Sequence, residues 1–248
     1  MTEDILPRGA PPDLVNTAWR DYGNRVGAFR LFDRLAAIGI RPAVLLNTNL
    51  YDEAPEVIAA ARAAGAEFVG HGASNSDSLA ALPAGEEAAY VARVRARIAA
   101  AEGAPPGGWS SPWLAHTPTS LQSLAGADYR YLLDLRLDDQ PVWLDAGPKR
   151  LLAIPYAAEL NDSTSMVGRQ MEPRAFAAAI LDEARELLES PQPVVMSVVL
   201  HSFISGQPWR LRPLAEALAE VAAMPGVWLA TPAEIHAAVL AEPSLAAG

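Results

Sequence analysis

The sequence predicts an α/β fold built on a parallel sheet, and of the two observations that carry this the second favours closing the sheet as a barrel. Short apolar runs alternate with helical segments about seven times along the chain, as they do where helices join parallel strands. Polar residues recur where those runs end: Asn47, His71, Ser110, Asp134, Tyr156, His201 and Thr231. In a barrel such ends converge on one face and build the site, whereas an open sheet gathers them only at its switch point. The size agrees. A chain of 248 residues, 51% hydrophobic, can bury one large core, and we read 1–248 as a single domain with a flexible start over 1–12.

The elements follow from periodicity and punctuation. After Arg25, the residues Val26, Phe29, Phe32 and Leu35 fall on one helical face, and Gly39 ends that helix. Ala43 to Leu46 is an apolar run flanked by helices, as a buried parallel strand requires. A helix starts near Asp52 with Pro55 in its first turn and stops at Gly65; Glu67 to Val69 is a weak strand before His71. An Ala/Arg/Glu helix runs from about Ala84 to Ala101, and Trp109-Ser110 is a short strand. Thr117 and Pro118 read as the cap and first turn of the next helix. Strands are expected at Tyr129–Leu133, Leu151–Ile154, Val194–Leu200 and Val227–Ala230. Helices are expected at Pro173–Glu189, at Arg212–Ala223 and after Thr231-Pro232.

Composition narrows the function. The net charge of -10 argues against nucleic acid and anionic membrane as partners, because both need a basic face, and leaves a small-molecule substrate open. With no cysteine there are no disulfides, thiolate metal sites or cysteine nucleophiles. The opening residues lack a basic flank followed by an apolar run, so no signal peptide is expected, nor any membrane span. These features are compatible with the cytoplasm. Homo-oligomers are compatible with the chain too, though nothing in it specifies one.

Seven segments then carry a resemblance. They are Trp19-Arg20-Asp21-Tyr22-Gly23-Asn24-Arg25-Val26-Gly27; Gly70-His71-Gly72 with Asn75-Ser76; Trp109-Ser110-Ser111-Pro112; Asp138-Asp139-Gln140-Pro141; Ile154-Pro155-Tyr156 with Glu159-Leu160-Asn161-Asp162; Leu200-His201-Ser202-Phe203 with Gly206-Gln207-Pro208; and Val227 to Thr231. In this order the chain, from about Asp13 onward, resembles polysaccharide deacetylase-like proteins of the carbohydrate esterase family 4 type. Within them it is similar to the subgroup that includes the metal-independent bacterial allantoinases. The resemblance implies an incomplete (β/α)7-type barrel and hydrolysis of amide-type bonds. In metal-dependent relatives an Asp after the first strand and a His-x-x-x-His motif hold a divalent ion. This chain departs twice: Asn75 stands four residues after His71, and the first strand with its Asp has no counterpart before Trp19.

The site expectations combine both lines. His201 ends the most apolar run, and a histidine there can carry a proton to a leaving nitrogen; the plainer reading is a histidine bonded to a buried carbonyl. His71 sits between two glycines and is read as a second proton carrier, as a weak metal candidate, or as a packed residue. Asp138, Asp139 or Glu159 supplies the acid that assists water, unless Asp138 and Asp139 only make a turn. The resemblance adds Asn24, Arg25, Asn75 and Gln140 as substrate contacts. Trp109, Trp113 and Trp143 are candidates for a pocket wall, with plain core as the alternative. His116 and His236 read as surface residues and receive no role.

The expected function is a hydrolase of a small linear or cyclic amide or ureide that needs no cofactor. The alternatives are a Zn2+-dependent carbohydrate de-N-acetylase, and a barrel that binds a ligand without turning it over.

Overall fold

The computed structural model describes residues 12–83 and 85–247. The flexible start expected for the first residues therefore lies, except for Pro12, outside the described residues, as does Ala84. The chain opens with helix α1 (Leu14–Tyr22), whose Asp13 cap accepts from Asn16 N at 3.1 Å. A π-helical turn at Gly23–Gly27 leads into α2 (Ala28–Ala37). The helix expected only after Arg25 thus begins about twelve residues earlier.

Strand β1 (Ala43–Leu46) is followed by α3 (Leu50–Glu53), α4 (Pro55–Ala63) and β2 (Glu67–Gly70). Next come α5 (Glu87–Glu102), β3 (Gly108–Trp109), α6 (Ser120–Gly126) and β4 (Tyr131–Leu132). A hairpin, β5 (Val142–Ala146) and β6 (Lys149–Ala153), precedes α7 (Pro173–Leu188). The chain ends through α8 (Ser202–Ser205), α9 (Pro208–Ala222) and α10 (Pro232–Ala241). Among the described residues the strands form one sheet in the order β1-β2-β3-β4-β6-β5, parallel throughout except for β5 against β6. The α/β architecture with a mostly parallel sheet is therefore as the sequence predicts.

Three expectations are corrected. Val194–Leu200 and Val227–Ala230 run without a strand ladder; the first makes one bridge, Val199 to Asn161, donates from Val195 N to Asp139 O and from Val199 N to Leu160 O, and accepts at Val199 O from Asp162 N. Apolarity reports burial, and burial does not by itself supply a neighbouring strand. The β5–β6 hairpin was not anticipated, although Gly147 at its turn has φ 79°, a conformation glycine adopts freely. The helix expected at Thr117 starts at Ser120, because Ser120 Oγ takes the Thr117 N–H at 2.8 Å while the chain is still turning.

Buried side chains form layers on both faces of the sheet. One layer joins Trp109, Leu132 and Leu151 to Val91, Val94 and Ile98 of α5; another joins Val69, Tyr131, Leu152 and Ile154 to Val199 and Val239. A third packs Phe176 and Ile180 of α7 against Leu214 and Leu218 of α9, and reaches Trp19 and Phe203. Because β1, β2, β3, β4 and β6 are parallel, their C-terminal ends share one side of the sheet, and Asn47, His71, Ser110 and Asp134 follow those ends.

Candidate active site

The strand-end residues are tied to one another by short polar links. Asn47 Nδ2 donates to the His71 carbonyl at 2.5 Å, and Thr48 N to Gly72 O at 3.0 Å. Ser110 N donates to Gly70 O at 2.9 Å, and the Ser110 carbonyl in turn lies 2.7 Å from His71 Nδ1. The next amide, Ser111 N, donates to both oxygens of Asp134 at 2.9 Å. The dipeptide after β3 thus holds His71 with a carbonyl and Asp134 with an amide. His71 also feels the charges of Asp134 and His201.

His201 is held by Asp162. That carboxylate has no exposed surface and accepts His201 Nδ1 at 2.6 Å, His201 N at 2.7 Å and Ser205 Oγ at 2.5 Å. A buried carboxylate is tolerated only with such compensation. The Nδ1 bond fixes the ring orientation and favours a proton on Nδ1, which leaves Nε2 as the basic nitrogen. Phe203 packs edge-on to the ring at 5.7 Å, and Trp19 and the Arg20 guanidinium pack on Phe203 at 5.0 and 5.1 Å. Gly23 and Gly27 lie so close to Ser202 that a methyl group on Gly23 would come within 2.6 Å of its hydroxyl. The entry segment therefore packs against the residues that follow His201.

His71 is different in charge. Burial pushes its pKa below the ordinary 6.5, against the opposing pull of the Ser110 carbonyl and Asp134. Its Nε2 lies 3.1 Å from the amide of Asn75. Both ring nitrogens are thus engaged, Nδ1 with the Ser110 carbonyl and Nε2 with Asn75 Oδ1.

His116, which the sequence leaves on the surface, is half-buried, with Nε2 2.9 Å from Asp134 Oδ2. Asp134 lifts its pKa above 6.5, more strongly than burial lowers it. His236 is likewise buried, stacked 5.3 Å from Tyr131 and 6.2 Å from Trp143.

The expected acids are placed elsewhere. Asp138 Oδ1 accepts from Gln140 N at 2.9 Å, an Asx turn on an exposed loop, and Asp139 pairs with Arg136 at 2.7 Å. Glu159 is exposed, and its carbonyl accepts from Ser165 Oγ. Asp162 and Asp134 are the carboxylates the structure joins to histidines. Asp162 stood in a polar cluster of the sequence; its signal was the polar, strand-following position three residues beyond Glu159. Trp109 is completely buried, its Nε1 donating to Ser111 Oγ at 2.8 Å, so it is core and not pocket wall. Trp143 packs beside His236 and under Arg150. Trp113 is 47% exposed beside Pro112, which abuts Gly72. Asn24 is half-buried and Arg25 exposed in the π turn, and Gln140 reaches Leu245 O at 3.4 Å.

The surface concavities do not locate the chemistry. One, about 450 Å³, lies between the starts of α7 and α9, lined by Pro173, Trp209 and Pro213; another, about 410 Å³, follows Arg136 to Asp139. Neither includes His71 or His201. The carboxylate–histidine pairs are the better guide, since such pairs dictate proton chemistry and hollows do not. A divalent ion, which the resemblance implies for metal-dependent relatives, does not fit the residues present. Among the described residues no three His, Asp or Glu side chains converge as metal ligands, and Asn75 is a weak zinc donor beside His71.

No protein-family model matches the chain, and no curated protein matches it in sequence. Solved structures do match in shape. One described as a polysaccharide deacetylase from Mycobacterium smegmatis has TM-score 0.81 at 24% identity, over 93% of this chain and 82% of that one. An allantoinase has TM-score 0.86 at 23% identity, over 97% and 80%. One described as a polysaccharide deacetylase from Pseudomonas aeruginosa PAO1 has TM-score 0.87 at 23% identity, over 97% and 81%. The chain therefore has the α/β fold shared by these polysaccharide deacetylase-like structures.

Proposed function

We propose that this chain hydrolyses a C–N bond of a small linear or cyclic amide or ureide, with water activated by a histidine and without a tightly bound metal. The observation that carries the reading is the 2.6 Å contact between His201 Nδ1 and the buried Asp162. A carboxylate behind Nδ1 orients the ring and stabilises the imidazolium that forms when Nε2 takes a proton from water. His71, its pKa lowered by burial, is held at both ring nitrogens by Ser110 and Asn75 and in this reading shapes the site beside His201. Asn75, which contacts His71, and Asn24 and Arg25 of the entry segment are the substrate contacts in this reading. The shape shared with an allantoinase supports an amide-type substrate. No described helix is long and apolar enough to cross a membrane, which is compatible with the cytoplasmic location we favour.

A second reading, a zinc-dependent carbohydrate de-N-acetylase, draws on the shape shared with proteins described as polysaccharide deacetylases. The two are separated by assaying purified protein on allantoin, hydantoin and an N-acetylglucosamine trimer, with added zinc and with chelator. Turnover of a ureide or hydantoin that survives chelation supports the first reading. Turnover that needs zinc supports the second. Tight binding without turnover on any of them removes both and leaves a ligand-binding barrel.

A further inference from the structure

We propose that His116, held by Asp134, is a second proton-carrying histidine of this site and donates from Nδ1 to the departing nitrogen. The inference rests on the hydrolytic reading and adds a group to it. Asp134 is the carboxylate that Ser111 anchors, on the same dipeptide that binds His71. Its side chain has no exposed surface, and it holds His116 with Nε2 turned inward at 2.9 Å. The Nε2 atom is buried and lies off the line of a good hydrogen bond, so the contact is chiefly one of charge. The ring keeps 20% of its surface open, and Nδ1 has no hydrogen bond among the described residues. The arrangement is His201 in mirror image, with the carboxylate behind the other ring nitrogen.

The surroundings select the charged form. The ionisable groups that act on His116 are Asp134 and Glu87, both acidic. Glu87 is buried, spends one oxygen on Thr117 and Thr119, and leaves Oε1 without a hydrogen bond. The chain reaches this position through two successive left-handed residues, Trp113 at φ 62° and Leu114 at φ 51°. Strain of that kind persists only where surrounding structure over-determines it. Asp134 raises the His116 pKa, which suits that ring to the acid role.

The step balances as follows. His201 Nε2 takes a proton from water, and the hydroxide oxygen bonds to the amide carbon. The C–N bond breaks with its electron pair on nitrogen, which takes the proton from His116 Nδ1 and leaves as an amine. The proton held by His201 returns through solvent to His116, and one water is consumed.

The test uses whichever of allantoin, hydantoin or N-acetylglucosamine trimer the wild type turns over. His116→Gln is expected to lower kcat about 100-fold or more, the scale of general acid catalysis, with KM within about threefold and the alkaline limb of the pH profile gone. Asp134→Asn should move that limb to lower pH. NMR titration of the ring proton should place His116 above 6.5. A His116→Gln enzyme within about threefold of wild type with the same limb overturns the inference, as does a His116 titration at or below 6.5. A wild type inactive on all three substrates removes the hydrolytic reading instead, a result distinct from an active wild type with an unaffected variant.

Discussion

Asp162 and Asp134 are both fully buried carboxylates, yet they do different things to the histidines they hold. Asp162 is satisfied by three donors, two of them from His201, so removing its charge while keeping its shape isolates its role. Asp162→Asn is expected to leave the circular dichroism spectrum intact and to lower kcat by about 10²–10⁴-fold, the range for a positioned proton carrier. A loss under tenfold would separate Asp162 from the chemistry. The His116 pair predicts a pH effect on stability with a definite sign. Its folded pKa is raised, so the stabilisation is whole below 6.5 and is lost as pH rises through the folded value. The unfolding midpoint of wild type minus that of His116→Gln should therefore shrink as pH rises above 6.5. His71 acts oppositely: its pKa is lowered, so the destabilisation appears as pH falls below 6.5. By contrast, the exposed Arg136–Asp139 pair is worth only about 0.2–1 kcal/mol, and Asp139→Ala should scarcely shift the midpoint.

At the scale of elements, two π-helical turns flank the His201–Asp162 pair. Gly23–Gly27 packs on Ser202, and Ser163–Gly168 begins directly after Asp162. Such turns insert a residue into a helix and recur at functional sites. Gly27 and Gly206 are in contact: a methyl group on either would fall inside the Ser202 carbonyl oxygen. Gly27→Ala must then displace the backbone beside His201. It is expected to cost about 1–3 kcal/mol in urea unfolding and to lower activity with it. Gly126 is the control, because a methyl group there meets nothing within 4 Å at the end of α6. Gly126→Ala should be neutral or stabilising by up to about 1 kcal/mol, through the loss of unfolded-chain freedom.

At the scale of the molecule, the rim residues are held by cores that lie on different sides of the sheet. Phe176 is completely buried between α7 and α9, in the layer that also contains Phe203 and Ile204 beside His201. Phe176→Ala is expected to cost about 3–5 kcal/mol, read as a shift in the urea midpoint. Because His201 ends a segment without a strand ladder, its position depends on this layer and on Asp162 more than on sheet hydrogen bonds. The same variant should therefore lower activity before it unfolds the chain.

The sequence by itself determined the alternation of apolar runs and helices, the glycine stops at Gly39 and Gly65, the cap at Thr231 and the polar residues at strand ends, because each follows from local periodicity and backbone preference. His71 and His201 were legible for that reason. The partner of each histidine was not. Asp162 is 39 residues from His201, Ser110 is 39 from His71, and His116 meets Asp134 through a loop that turns left-handed twice. Local pattern made Asp138, Asp139 and Glu159 look equivalent to Asp134 and Asp162. Only the tertiary structure decided between them, because it alone sets which carboxylates are stripped of water beside a ring and which stay solvated in turns.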